Sequence, residues 1–145
     1  LGETLVSLSH KRIWLVLFIV ATLALGGCAH VEKTSKSDGL KSASLRYAKG
    51  LRWGDYEGAM ALTRLPDGKV DPVDIKYLKN IKVTHYDVSP AILSESQEEG
   101  YVTLYLDYYH ELRNSVHQIT VPQTWRYDEE DKRWYCETPM PEFKP

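Results

Sequence analysis

Three patterns of apolar and polar positions succeed one another along the chain. Residues 13–25, IWLVLFIVATLAL, are apolar except for Thr22. Residues 29–39, AHVEKTSKSDG, are polar and aperiodic, so 28–40 is expected to be a flexible tether. From Leu40 the apolar residues recur with helical spacing: Leu40, Ala43, Tyr47 and Leu51 share one face, with Ser44 and Ala48 alongside. From Ile81 onward the period changes from that of a helix to that of a strand.

The intervening stretch reads as short helices. Asp55 is placed to cap a helix over 56–63, and Leu65-Pro66-Asp67-Gly68 is a turn. Asp71 at the N-cap, Pro72 at the first helical position and Asp74 in the first turn predict a third helix, with Ile75 and Leu78 on its apolar side.

Ile81 to Val88 is a strand, ending near a bulge or edge at Ser89-Pro90, and Ser94 to Gly100 is a polar connection. The clearest strand runs from Tyr101 to Leu112. Val102, Leu104, Leu106 and Tyr108 fall on one face, and Tyr101, Thr103, Tyr105, Asp107 and Tyr109 on the other. A two-residue loop at Arg113-Asn114 would set Tyr108 against Ile119, Leu106 against Val121 and Val102 against Trp125. A second hairpin, looping through Glu129 to Lys132, sets Tyr127 against Trp134 and Trp125 against Cys136. The apolar faces of three strands then coincide, as a buried sheet face requires.

The apolar run 13–25 is short for a membrane span, which needs about 20 residues, but it suits the hydrophobic core of a secretory signal. Lys11 and Arg12 supply the positive charge in front of it, and Leu25-Gly26-Gly27-Cys28 comes after it. An aliphatic residue, two small residues and a cysteine in this order resemble the lipobox of bacterial lipoproteins. The resemblance implies diacylglycerol on the Cys28 thiol, cleavage between Gly27 and Cys28, and a further acyl chain on the new amino group. Residues 1–27 would then be a signal peptide. Each buried methylene contributes about 0.8 kcal/mol, so one chain holds marginally and two or three hold firmly. Ala29 stands after the cysteine where Asp would retain a proteobacterial lipoprotein in the inner membrane. The resemblance therefore implies the outer membrane, with the protein facing the periplasm.

Composition changes this picture little. A length of 145 residues, 43% hydrophobic and 26% charged, suits one globular domain and excludes a fibrous or disordered chain. Two basic residues (Lys11, Arg12) and one acid (Glu3) precede Cys28, leaving 16 Lys+Arg against 19 Asp+Glu, a net charge of -3. That balance gives no basis for nucleic-acid binding. With Cys28 lipidated, Cys136 has no intrachain partner and reads as a buried core residue. There is no glycine-rich phosphate loop, CxxC or HExxH, and no cofactor or metal is implied.

Helices succeeded by an antiparallel meander define an α+β fold, with N-terminal helices covering a curved sheet of about four strands. The stretch SASLRYAKGLRWGDYEGAMAL, the long strands and the closing TWRYDEEDKRWYC hairpin resemble the NTF2-like (SnoaL-like, cystatin-like) cone fold, over a domain at 41–140. The resemblance implies a pocket between the concave sheet face and the helices, lined here by Tyr108, His110, His117, Gln123 and Trp125. Isomerases and dehydratases of that kind place a carboxylate or histidine base there. The core face carries neither Asp nor Glu, since Asp107 and Glu111 point the other way.

The expected register also sets His110 opposite His117. Two such imidazoles form half a metal site or a pH-sensitive pair, or are simply hydrogen-bonded histidines near a turn. His85 is the candidate third ligand. On the other face, Tyr101, Tyr105 and Tyr109 form a row suited to a partner, unless a second core covers it or the tyrosines are simply tolerated at the surface. These features favour a lipid-anchored, non-catalytic protein that binds a protein partner or a small apolar ligand. The alternative is a small-molecule enzyme with a histidine base.

Overall fold

A computed structural model describes residues 31–69 and 71–145. The expected signal peptide over 1–27 and the lipobox residues Leu25, Gly26, Gly27 and Cys28 lie outside the described residues. One compact unit runs from Lys36 to Pro145. No helix among the described residues is long and apolar enough to cross a membrane.

The first helix, α1 (31–53), begins well before Leu40, so the expected tether over 28–40 is helical from residue 31 on. Distant residues hold this helix at Lys36. Trp134 Nε1 donates to the Lys36 carbonyl at 2.9 Å, and Lys36 Nζ pairs with Glu129 at 2.6 Å. These contacts fix a turn whose own side chains carry no apolar pattern. Further along, Leu40, Tyr47, Ala48 and Leu51 are buried, as their spacing predicts. The helix stops at Gly54, whose φ of 74° is left-handed. Asp55 N donates to Gly50 O (2.8 Å) and Gly54 N to Leu51 O (3.3 Å), the paired bonds of a Schellman ending.

Asp55 then caps α2 (Tyr56–Met60), accepting from Gly58 N. The 65–68 turn forms as expected, closed by Gly68 N on Leu65 O at 2.9 Å. Helix α3 (Ile75–Leu78) starts later than expected. Its N-cap is Asp74, which accepts from Lys76 N and Tyr77 N at 3.0 and 3.1 Å. Asp71 is diverted elsewhere: its carboxylate accepts from Met140 N.

The strands are β1 (Ile81–Val88), β2 (Ile92–Leu93), β3 (Glu99–His110), β4 (Ser115–Asp128) and β5 (Arg133–Cys136). They form an antiparallel sheet in the order β1-β3-β4-β5, with β2 also paired to β3. The sheet is strongly curled and the helices pack on it, an α+β fold consistent with the NTF2-like expectation. A bulge between Val83 and His85 reverses the facing of β1.

The β4–β5 register has the expected pairs, Trp125 with Cys136 and Tyr127 with Trp134. The β3–β4 register differs by two residues: Tyr108 faces His117, Leu106 faces Ile119 and Val102 faces Gln123. The loop has four residues, 111–114, rather than two. A two-residue type I′ turn needs positive φ at both central positions. Asn114 alone supplies it here, at 50°, and its N–H closes on His110 O at 3.0 Å. A shift of two preserves strand parity, so every side chain keeps its expected face.

Two residues in the sheet are explained by their neighbours. The backbone N–H and C=O of Thr124 face the β5 side, bonding Thr138 Oγ1 and Glu137 N. Two residues back, beyond the end of β5, Pro122 turns its missing donor to the same outer side, where no ladder bond is lost. Gly100 lies where a Cβ would strike Leu40 Cδ2 and come within 3.3 Å of Trp134 Cζ3, so its bare backbone lets α1 sit against the sheet.

Candidate functional site

All five residues expected in the pocket face the concave side, and none of them lines the clefts that the described residues form. Tyr108, His110, Gln123 and Trp125 are buried, and His117 is half-buried. Trp125 meets Tyr47 edge to face at 6.0 Å and donates its indole N–H to Gln123 Oε1 at 3.3 Å. Tyr108 stacks on His117 at 5.2 Å and receives the edge of Phe143 at 4.9 Å. Its hydroxyl accepts from Lys144 N at 2.8 Å.

The two histidines are not opposite one another. His110 pairs with Ser115 and His117 with Tyr108, which leaves the imidazoles diagonal across the ladder. His110 Nδ1 accepts from Leu112 N at 3.3 Å, and its ring lies 5.6 Å from Tyr77. His85 is exposed and pairs with Asp107 after the bulge, on the opposite face. It does not join the other two, and no cluster of three metal-ligating side chains forms among the described residues. His117 Nε2 and Gln123 Nε2 are buried without a hydrogen-bond partner among the described residues.

Sequence periodicity does not reveal what fills the concave side. Residues 139–145, PMPEFKP, run back across it, burying Met140, Pro141 and Phe143. Met140 Sδ accepts from Tyr47 OH at 3.6 Å. Asp71 and Tyr77 hold the backbone of the same segment, Tyr77 OH donating to Phe143 O at 2.8 Å. The signal is present only as two apolar residues, Met140 and Phe143, in a stretch with neither helical nor strand period.

The electrostatics of this side come from burial. Desolvation pushes the Cys136 thiol up to about 12 and the Tyr56 hydroxyl likewise to about 12. Burial also raises the Tyr47 hydroxyl strongly, helped by repulsion from Cys136 once that thiol ionises and from the Asp71 carboxylate nearby. These groups are therefore neutral at ordinary pH.

The convex face is different. Tyr101 and Tyr105 are 43% and 45% exposed, Tyr109 is half-buried, and Val116 is 75% exposed across the ladder from it. Tyr101 OH donates to Glu99 at 2.9 Å, and Arg126 bridges Glu99 (2.8 Å) and Glu137 (2.7 Å). The Tyr101 hydrogen bond, then that of Arg126, holds the Glu99 carboxyl below its usual range. Asp107 accepts from Gln118 on this same face and is directed away from the histidines, as expected.

Among the described residues, two further clefts contain none of these tyrosines or histidines. One, of about 500 Å³, is lined by Met60, Thr63, Arg64, Leu65 and Asp71 among others, and its Arg64 is already paired with Asp128 and Asp131. The second, of about 410 Å³, lies between Lys41 and Leu45 of α1 and the segment Val88–Ala91. No protein-family model and no curated protein matches this chain.

Proposed function

We propose that this chain is a bacterial envelope lipoprotein, held at the periplasmic side of the outer membrane through lipid on Cys28. Its folded unit acts by binding a protein partner on the convex tyrosine face, without catalysis. The anchor rests on the ordered sequence Lys11-Arg12, the apolar run 13–25 and Leu25-Gly26-Gly27-Cys28. The binding role rests on the exposure of Tyr101 and Tyr105, which alternate along β3 with the buried Val102, Leu104 and Leu106. Tyrosine supplies large contact area with few rotatable bonds and is enriched at interfaces. A catalytic reading needs a histidine facing open space beside a third polar group, and the room in front of Tyr108 is taken by Phe143.

Metabolic labelling of the full chain with an alkyne fatty acid tests the anchor. Cys28→Ala is expected to abolish labelling and leave the precursor uncut, and surviving label would overturn the proposal. A photo-crosslinking residue at position 105 is expected to trap a discrete partner in intact envelopes. The same group at Glu130, in the exposed β4–β5 turn, is the control.

A further inference from the structure

The segment 139–145 is held as a receptor holds a bound peptide. It belongs to no ladder and no helix. Its backbone is received by side chains: Asp71 takes the Met140 N–H, Tyr77 donates to the Phe143 carbonyl, and Tyr108 OH takes the Lys144 N–H. Two side chains serve as anchors, Met140 against the Tyr47 hydroxyl and Phe143 edge-on to Tyr108. Pro139 and Pro141 have no N–H to satisfy and pre-set an extended backbone, which lowers the entropy lost on docking. Glu142, Lys144 and Pro145 point outward and stay exposed. Met140, Pro141 and Phe143 thus face inward while Glu142 and Lys144 face solvent, the division expected of a docked peptide.

The groove is supplied by other parts of the chain. Asp71 and Tyr77 come from the loop before α3 and from α3 itself, and Tyr108 from β3. A cleft of about 320 Å³ remains between Pro72, Val73 and Tyr77 on one side and the segment on the other, so the segment is not sealed in. The diverted Asp71 fits this reading. Its position after the turn would suit an N-cap, yet its carboxylate receives a backbone N–H from residue 140 instead. A carboxylate accepting a peptide N–H is a strong, charge-assisted contact.

We propose that the α3–β3 groove is a peptide-binding site, occupied in cis by residues 139–145. Its ligand class is an extended segment with Met and Phe three residues apart and proline between them. The cis segment is exchangeable with a free peptide of that chemistry. The groove residues Asp71, Tyr77 and Tyr108 belong neither to the anchor nor to the tyrosine face, so purified protein tests the groove apart from both.

The test uses the full chain with a flexible linker and a protease site inserted between Thr138 and Pro139, and a fluorescein-labelled peptide PMPEFKP as probe. Before cleavage the probe should not bind, because the groove is filled. After cleavage the chain should stay folded by circular dichroism, and fluorescence anisotropy should report saturable binding as the probe replaces the cut segment. A probe carrying Phe143→Ala should bind about a hundredfold more weakly, the loss of a buried aromatic anchor. Tyr77→Phe in the protein should weaken the intact probe by about threefold to tenfold, the worth of one neutral hydrogen bond. Unfolding on cleavage would make the segment an integral part of the core and overturn the proposal. So would a folded, cleaved chain that ignores the probe, or one that binds the alanine probe equally well.

Discussion

The two faces of β3 are built from the same strand and, in part, from the same residue type, yet they do opposite things. Tyr108 on the concave side is buried between His117 and Phe143, with its hydroxyl accepting a backbone N–H. Tyr101 and Tyr105 on the convex side keep much of their rings in solvent, and the Tyr101 hydroxyl donates to a surface carboxylate. Composition does not separate these tyrosines; strand parity does. The concave aromatics are structural because helix α1 and the segment 139–145 close over them. The convex Tyr101 and Tyr105 rings have no such cover among the described residues and stay partly in solvent. The residues with candidate chemistry, His110, His117 and Gln123, all fall on the packed side, where each is hemmed in by aromatic rings or an indole N–H.

The largest test of that contrast is Trp125→Ala. Trp125 is fully buried at the centre of the concave side, against Tyr47 and Gln123. Its loss should cost about 3–5 kcal/mol in urea unfolding, the range for deleting a large buried aromatic. A cost of about 0.5 kcal/mol or less, the range of ordinary surface changes, would mean that the concave side is open after all.

Alkaline pH tests the same side by a different route. The buried Cys136 thiol is raised from 9.0 to about 12, chiefly by desolvation. A group whose folded pKa is raised contributes stability that is complete below its unfolded pKa. That stability declines as pH climbs from about 9 through the folded value near 12. Each such group adds a slope of about 1.4 kcal/mol per pH unit across its window. Stability measured by urea midpoints should therefore fall between pH 9 and 11. Cys136→Ala should flatten that fall by one proton, whereas Thr120→Ala on the convex face should leave the slope unchanged. An equal slope in all three proteins would show that the thiol is not desolvated.

The alternation that divides the faces is legible in the sequence because it is local, and a period of two needs only a few residues to declare itself. The β4–β5 register is legible for the same reason, with 129–132 as a four-residue loop. The β3–β4 loop has the same length and the same left-handed last residue, Asn114 in one and Lys132 in the other. Assigning Leu112 to the strand hides it, and an error of two residues leaves no trace in the face pattern. The features that escape depend on contacts distant in sequence. Residues 36–39 look like part of a tether, although Trp134 and Glu129 reach Lys36. Asp71 looks like a helix cap until Met140 arrives. The concave site looks like a pocket because nothing in PMPEFKP announces that Met140 and Phe143 will fill it.

The smallest expected effect is the most discriminating for function. Tyr105→Ala removes a ring that is nearly half exposed and lies outside the aromatic contacts of the concave side. Exposed substitutions of this kind change stability by about 0.5 kcal/mol or less, so urea unfolding should scarcely register it. Binding should register it strongly, because truncating an aromatic anchor at the centre of an interface typically costs about 2 kcal/mol or more. Recovery of the trapped partner from envelopes, with the crosslinking residue moved to position 101, should therefore fall sharply while the protein stays folded. A loss of stability comparable to that of Trp125→Ala would instead mean that something covers the convex face. The two sides of the sheet would then both be core, and the tyrosine row would no longer be available to a partner.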